Sequence, residues 1–274
     1  MNNRPIGVFD SGLGGMSCLL PLQKTLPNES IIYFGDTART PYGDKEPETI
    51  RYFTCQVADF LVSQGVKILV IACNTISALC TETLRQRYPH IPVVDIITPT
   101  VSHVLQNQDN SNNIGVIATK ATIKSGMYHK LLRGGGFQGE IHSTACPLFV
   151  PLIESGFRDG VVVESVVAHY LDRFVAERNL DSLILGCTHY PFIESSIRKL
   201  YPELQIINPS QIITEQVCKI LREQDLAAAP DHRVSHTFYA SDLSETFLDM
   251  IRHASTTRDY SVEFQAFKEV YQSI

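Results

Sequence analysis

Two stretches of the chain are written in nearly the same words. One is Lys67-Ile68-Leu69-Val70-Ile71-Ala72-Cys73-Asn74-Thr75; the other is Asp181-Ser182-Leu183-Ile184-Leu185-Gly186-Cys187-Thr188-His189. Each is an apolar, β-branched run, then a small residue, a cysteine and a polar pair. Such a run reads as a strand buried on both faces in a parallel sheet, and the residues after it as a strand-to-helix turn. Two similar units delivering two thiols would face each other across a cleft. That suits a reaction needing an acid on one side of a carbon and a base on the other.

The rest of the chain alternates short apolar runs with helical patterns. Strands are expected at 6–9, 30–34, 67–72, 92–95, 114–118, 140–143, 182–185 and 205–207. Helices are expected at 16–25, 47–63, 78–87, 101–106, 162–177, 192–200 and 212–222. This alternation predicts an α/β fold with mainly parallel sheets flanked by helices. The repetition extends beyond the cysteines. Ile6-Gly7-Val8-Phe9 returns as Ile114-Gly115-Val116-Ile117, and Tyr88-Pro89 with its strand returns as Tyr201-Pro202, all at nearly one offset. Two pseudo-symmetric, doubly wound units are therefore expected, with an active site between them. A polar, turn-rich loop at 106–113 precedes the second copy. The tail carries a loop at 227–232, a strand at 237–240 and a helix from Leu243, none with a counterpart after Asp95. The expected division is discontinuous: 1–97 plus 210–274 on the Cys73 side, and 98–209 on the Cys187 side.

Bulk properties exclude several classes. With 274 residues the chain can bury a sizeable core. A net charge of −6 gives no support to a nucleic-acid partner. No apolar run is long enough to span a bilayer, and the residues before Asp10 are too few for a signal-peptide core, so a cytoplasmic location is expected. Seven cysteines, an odd number without tight spacing, argue for free thiols rather than a disulfide framework.

In open α/β sheets ligands bind beyond the carboxyl ends of the strands. The polar candidates fall there: Asp10 and Ser11, then Asp36, then Cys73, Asn74 and Thr75, then Thr119, then Cys187, Thr188 and His189. Asp10-Ser11-Gly12-Leu13-Gly14-Gly15 is a glycine-rich turn entering a helix, able to hold a carboxylate through backbone N–H groups, with Asp10 free to accept a bond from an ammonium. It matches neither the dinucleotide fingerprint nor the Walker pattern. A cysteine after a strand is often a small buried apolar residue. Here each cysteine is succeeded by polar residues that start a helix, and a helix N-terminus lowers a thiol pKa from about 8.5 toward neutrality. Cys18, Cys55, Cys80 and Cys218 lie in helical patterns and read as core; Cys146, before Pro147, is open. No C-x-x-C occurs, so no metal site is expected. Thr40-Pro41-Tyr42-Gly43 reads either as a plain turn or as a loop offering a backbone N–H and the Tyr42 hydroxyl to the cleft. Glu154, after an apolar stretch, reads as a surface acid or a pocket-edge carboxylate.

Taken together, Asp10-Ser11-Gly12-Leu13-Gly14-Gly15, Gly35-Asp36 with Pro41-Tyr42-Gly43, Ala72-Cys73-Asn74-Thr75, and Gly186-Cys187-Thr188-His189-Tyr190-Pro191 resemble the glutamate racemase family, in the family's order and over most of the chain. One departure is Ile76-Ser77, where the family usually has smaller residues. The resemblance implies a cofactor-independent amino-acid racemase interconverting L- and D-glutamate, the latter for bacterial peptidoglycan. It implies Cys73 and Cys187 as the acid/base pair, with Cys73 taking the proton from D-glutamate and Cys187 from L-glutamate. Asp10, His189 and Glu154 assist. Ser11, Tyr42, Gly43, Asn74, Thr75, Thr119, Thr188 and His189, with Asp10, line the substrate. The expected partner is glutamate itself, with no nucleic acid and no membrane; a homodimer stays open. The rival readings are an aspartate or hydantoin racemase of the same superfamily, an amino-acid-binding protein that needs neither thiol, and a cysteine hydrolase needing only one thiol with a His partner.

Overall fold

The structure, a computed structural model, describes residues 1–109, 111–257 and 259–267. The first unit runs β1 (Ile6–Asp10), α1 (Met16–Thr25), β2 (Ile31–Gly35), α2 (Pro47–Ser63), β3 (Ile68–Ile71), α3 (Asn74–Arg87), β4 (Val93–Asp95) and α4 (Ile97–Asn107). The second runs β5 (Ile114–Ala118), α5 (Lys120–Ser125), α6 (Met127–Gly134), β6 (Ile141–Ala145), α7 (Phe149–Glu154), α8 (Gly160–Arg178), β7 (Ser182–Gly186), α9 (Glu194–Leu200) and β8 (Gln205–Ile207). The tail adds α10 (Pro209–Glu223), β9 (His236–Ala240), α11 (Glu245–Ala254) and β10 (Tyr260–Phe264).

The internal repeat of the sequence becomes a repeat of topology. The first sheet has the order β10-β9-β2-β1-β3-β4 and the second β6-β5-β7-β8. Dropping the two tail strands, both units place their second strand beside their first, then their third and fourth. Every pairing described is parallel. In this order the sheet reverses direction between the first and third strands, which opens a crevice at their carboxyl ends. Asp10 and Cys73 end that pair in the first sheet; Thr119 and Cys187 end it in the second.

Alternation along the strands explains the layers. Ile6, Val8, Ile68 and Val70 of the first sheet point into the same core as Ile114, Val116 and Ile184 of the second, with α1, α4 and α10 between. The intervening residues point outward. Phe9, Leu69 and Ile71 pack under α2 and α3, and Ile117, Leu183 and Leu185 pack under α7 and α8. Strands buried on both faces are continuously apolar, which is why the two cysteine stretches stand out. Ile76 is buried in the outer core of the first unit, and the Ser77 hydroxyl donates to the Ile71 carbonyl while accepting from the Ile96 N–H. This departure from the family pattern is absorbed by the framework.

Several elements differ from expectation. Helix α4 starts at Ile97 rather than residue 101, because the Asp95 carboxylate accepts from the N–H groups of Ile97 and Thr98. Pro99 sits in its first turn, where no N–H is needed. Helix α3 starts at Asn74 rather than residue 78, directly after Cys73. Helices α5, α6 and α7 and strand β10 were not expected. Strand β10 pairs only with β9, at the sheet edge, and is half-exposed. Residues 268–274 of the expected first domain lie outside the described residues. Among the described residues no helix is long and apolar enough to cross a membrane.

Candidate active site

The carboxyl ends of the two sheets meet around a small cavity of about 20 Å³. Ser11, Tyr42, Gly43, Cys73, Asn74 and Thr75 line it from the first unit; Thr119, Cys187, Thr188 and His189 line it from the second. Both expected thiols therefore reach one cavity from different sheets. Thr40, Pro41 and Val150 complete the wall. Val150 sits on α7, whose sequence Phe149-Val150-Pro151 hid a helix behind a proline in its first turn.

Asp10 and Glu154 stand behind the lining rather than in it. Asp10 is buried, and its two oxygens are occupied. Oδ1 accepts the Gly12 N–H at 2.9 Å, and Oδ2 accepts the Thr188 hydroxyl at 3.0 Å. The carboxyl already serves two groups of the protein. It folds its own glycine turn and ties it to the loop carrying Cys187. Burial pushes the Asp10 carboxyl up, opposed by the His189 charge and by its hydrogen bonds. Glu154 Oε1 lies 2.9 Å from His189 Nε2 and reaches the cavity only through that ring.

The Tyr42 hydroxyl also turns away, donating to Asp36, which holds Arg39 Nε at 2.7 Å and the Ser241 hydroxyl at 2.7 Å. What Tyr42 and Gly43 offer the cavity is their backbone. Close approach explains two of the glycines here. A Cβ on Gly14 would stand 2.3 Å from Thr188 Oγ1 and 2.5 Å from His189 Nδ1. One on Gly43 would stand 2.6 Å from Thr119 Cβ. Both glycines let the two units touch across the seam.

The thiols differ in their surroundings. Cys73 is the N-cap of α3, yet burial pushes its thiol up to about 12, with Asp10 adding to the rise. The Ile76 N–H and the Ser11 hydroxyl pull the other way without prevailing. The expected lowering by the helix terminus is thus outweighed by desolvation. The thiol is 3.5 Å from Ser11 Oγ. Cys187 has no α-helix directly after it; a 3-10 turn at Tyr190–Ile193 comes first. Its sulfur is instead 3.8 Å from His189 Nδ1. Burial would push the His189 imidazole down, but hydrogen bonds with Cys187 and Glu154 outweigh it and hold it up at about 10. Near neutral pH this site presents an imidazolium beside one sulfur and a neutral thiol at the other.

Among the described residues, hydrogen bonds cross the cleft at several points, including a Thr75–Thr122 contact of 3.4 Å. Thr188 donates to Asp10, Thr75 and Thr119 share a bond of 2.9 Å, and the Tyr128 hydroxyl donates to Asn74 Oδ1 at 2.7 Å. All seven cysteines are free. Cys18, Cys80 and Cys146 are buried, whereas Cys55 and Cys218 are half-exposed on helices α2 and α10 rather than in the core. Among the described residues no three His, Cys, Asp or Glu side chains are grouped to hold a metal ion.

A sequence model of the family described as Asp/Glu/Hydantoin racemase matches residues 18–217. The glutamate racemase of Neisseria meningitidis is 38% identical over 89% of this chain and 90% of its own. That of Aquifex aeolicus is 42% identical over 80% and 84%. The chain belongs to the glutamate racemase family. The crystal structure of the Francisella tularensis glutamate racemase in complex with D-glutamate superposes with a TM-score of 0.89 at 42% identity, over 97% of this chain and 98% of that one. Membership makes the protein an amino-acid racemase, an isomerase, and accounts for the paired sheets.

Proposed function

We propose that this racemase interconverts L- and D-glutamate without a cofactor, by proton transfer between Cys73 and Cys187. One observation carries the reading: two thiols from the ends of different sheets line one small cavity. The resemblance to the glutamate racemases implies which thiol serves which enantiomer, and the charges around the thiols are compatible with it. The His189 imidazolium stabilises negative charge on the Cys187 sulfur 3.8 Å away. As a thiolate, Cys187 removes the α-proton of L-glutamate, and the Cys73 thiol delivers a proton to the opposite face. The enzyme is left with the charge on Cys73, ready for D-glutamate. Two bases avoid turning the substrate over inside the cavity.

The α-proton is far less acidic than a thiol, so the growing negative charge needs preorganised donors. The backbone of Tyr42 and Gly43, the Asn74 amide and the Ser11 hydroxyl supply them, with Thr75, Thr119 and Thr188 alongside in the substrate-lining wall. Asp10 and Glu154 act as positioning residues, the first through Thr188 and the second through His189. At about 20 Å³ the cavity is too small for an amino acid. The two units separate to admit substrate and reclose to exclude water. The few cross-cleft hydrogen bonds, each worth about 0.5–1.5 kcal/mol net, are a small barrier to that motion.

The same reading divides the chain into 1–97 plus 210–274 and 98–209. Strands β9 and β10 extending the first sheet support it. It gives the enzyme a cytoplasmic place, a role in supplying D-glutamate for peptidoglycan, and a homodimeric assembly for which the exposed Phe157, Val161 and Val162 offer an apolar surface. Following L-glutamate by circular dichroism without added cofactor tests the activity. The optical signal should decay to zero. The same assay with aspartate and with a hydantoin should stay flat, and turnover of either in place of glutamate would favour the rival racemases.

A further inference from the structure

Two buried polar atoms of the cavity wall have no hydrogen-bond partner among the described residues: Asn74 Nδ2 and the Thr40 hydroxyl oxygen. Each of the other hydroxyls there has at least one partner. Ser11 takes the Cys73 thiol, Thr75 and Thr119 bond each other, Thr188 donates to Asp10, and Tyr42 donates to Asp36. A buried hydroxyl without a partner costs folding free energy, whereas a valine of the same shape would not. Thr40 stands against the glycine turn, with its hydroxyl 2.9 Å from where a Cβ on Gly12 would be. That places it on the wall shared by Ser11 and Cys73.

The two orphans have a common chemistry. An amide nitrogen can only donate, and a threonine hydroxyl can donate. Both can donate to an anion, and a carboxylate oxygen accepts such bonds strongly. We propose that Thr40 is a substrate-binding residue, its hydroxyl donating to a carboxylate oxygen of the bound amino acid. This rests on the racemase reading above and gives a substrate contact to a side chain that the sequence placed in a turn without a role of its own.

The test compares wild type, Thr40→Val and Thr40→Ser with both enantiomers of glutamate, together with melting temperatures with and without D-glutamate. A hydrogen bond to a charged group sets the scale. Thr40→Val should raise KM by about tenfold to a hundredfold for both enantiomers, change kcat far less, and shrink the upward melting shift that D-glutamate gives. Its ligand-free melting temperature should stay level or rise, because an unpaired polar atom is removed; a purely structural threonine would give the opposite sign. Thr40→Ser should keep a near wild-type KM. A Thr40→Val enzyme with unchanged KM overturns the proposal, as does a ligand-free destabilisation with a KM that Thr40→Ser does not restore. A wild type that leaves glutamate untouched would instead bring down the racemase reading, and is seen before any variant is made.

Discussion

Gly14 and Thr188, far apart in the chain, lie so close that a single methyl group on Gly14 would come within 2.3 Å of the Thr188 hydroxyl. His189 is equally near, so neither direction of relief is open. Gly14→Ala should lose about 1–3 kcal/mol by overpacking. It should lose activity out of proportion to that, because the displaced side chains hold Asp10 and Cys187. Thermal melting and steady-state rates on the same preparation check it; a normally active Gly14→Ala enzyme would show that the seam is looser than described.

Asp10 satisfies groups on both sides of the cleft. Asp10→Ala strands the Gly12 N–H and the Thr188 hydroxyl, and should cost about 1–3 kcal/mol. Thr188→Val removes only the crossing bond and should cost about 1 kcal/mol. Denaturant unfolding of the two single variants and the double variant measures the coupling. The double variant should cost less than the sum, because both remove the same bond.

Burial pushes His189 down, yet Cys187 and Glu154 hold it up at about 10, above its ordinary value of 6.5. Linkage sets the sign. A group whose pKa is raised on folding contributes stability fully present below about 6.5 and lost as pH rises through about 10. Glu154→Gln removes one of the groups holding the imidazolium. The alkaline loss of stability, and the alkaline limb of L-glutamate turnover, should both move to lower pH. Melting temperatures and kcat/KM from pH 6 to 10.5 would reveal it; superimposable profiles would remove Glu154 from the charge relay.

Lys67 and Glu29 form a buried ion pair at the amino end of β3, where Lys67 also donates to the Asn2 carbonyl at 2.7 Å. Removing one partner leaves a buried charge unpaired, at a cost of about 3–5 kcal/mol. Glu29→Ala should therefore lower stability strongly while leaving KM unchanged in whatever enzyme folds. A shift in KM would mean that this end of the sheet communicates with the cavity.

The framework was legible where burial dictates residue type. Runs such as Ile68–Ile71 must be apolar on both faces, so their position, their order and their repetition could be read directly. The elements that escaped are those whose residues obey weaker rules. Strand β10 alternates polar and apolar at an edge, and α7 carries Pro151 in its first turn. Helices α5 and α6 are short and half-exposed. The ten residues found lining the cavity were legible because they come just after strand ends or lie in the family's motifs. The turn holding Thr40 and Pro41 was legible as a cleft loop, though not the part its first two side chains play, and Val150 was missed because it sits on an unrecognised helix. The acidity of Cys73 was misread because a helix terminus shows in sequence and complete desolvation does not.

The central claim is that two sulfurs share the labour of one proton transfer. The most direct test makes Cys73→Ser and Cys187→Ser separately and tracks both enantiomers in D2O, recording racemisation and deuterium at the α-carbon together. Each variant should lose racemisation by at least about a hundredfold, the scale of a positioned acid or base. Exchange that persists should be confined to the enantiomer facing the surviving thiol: L-glutamate for Cys73→Ser and D-glutamate for Cys187→Ser. A single variant that racemises near the wild-type rate would contradict the account.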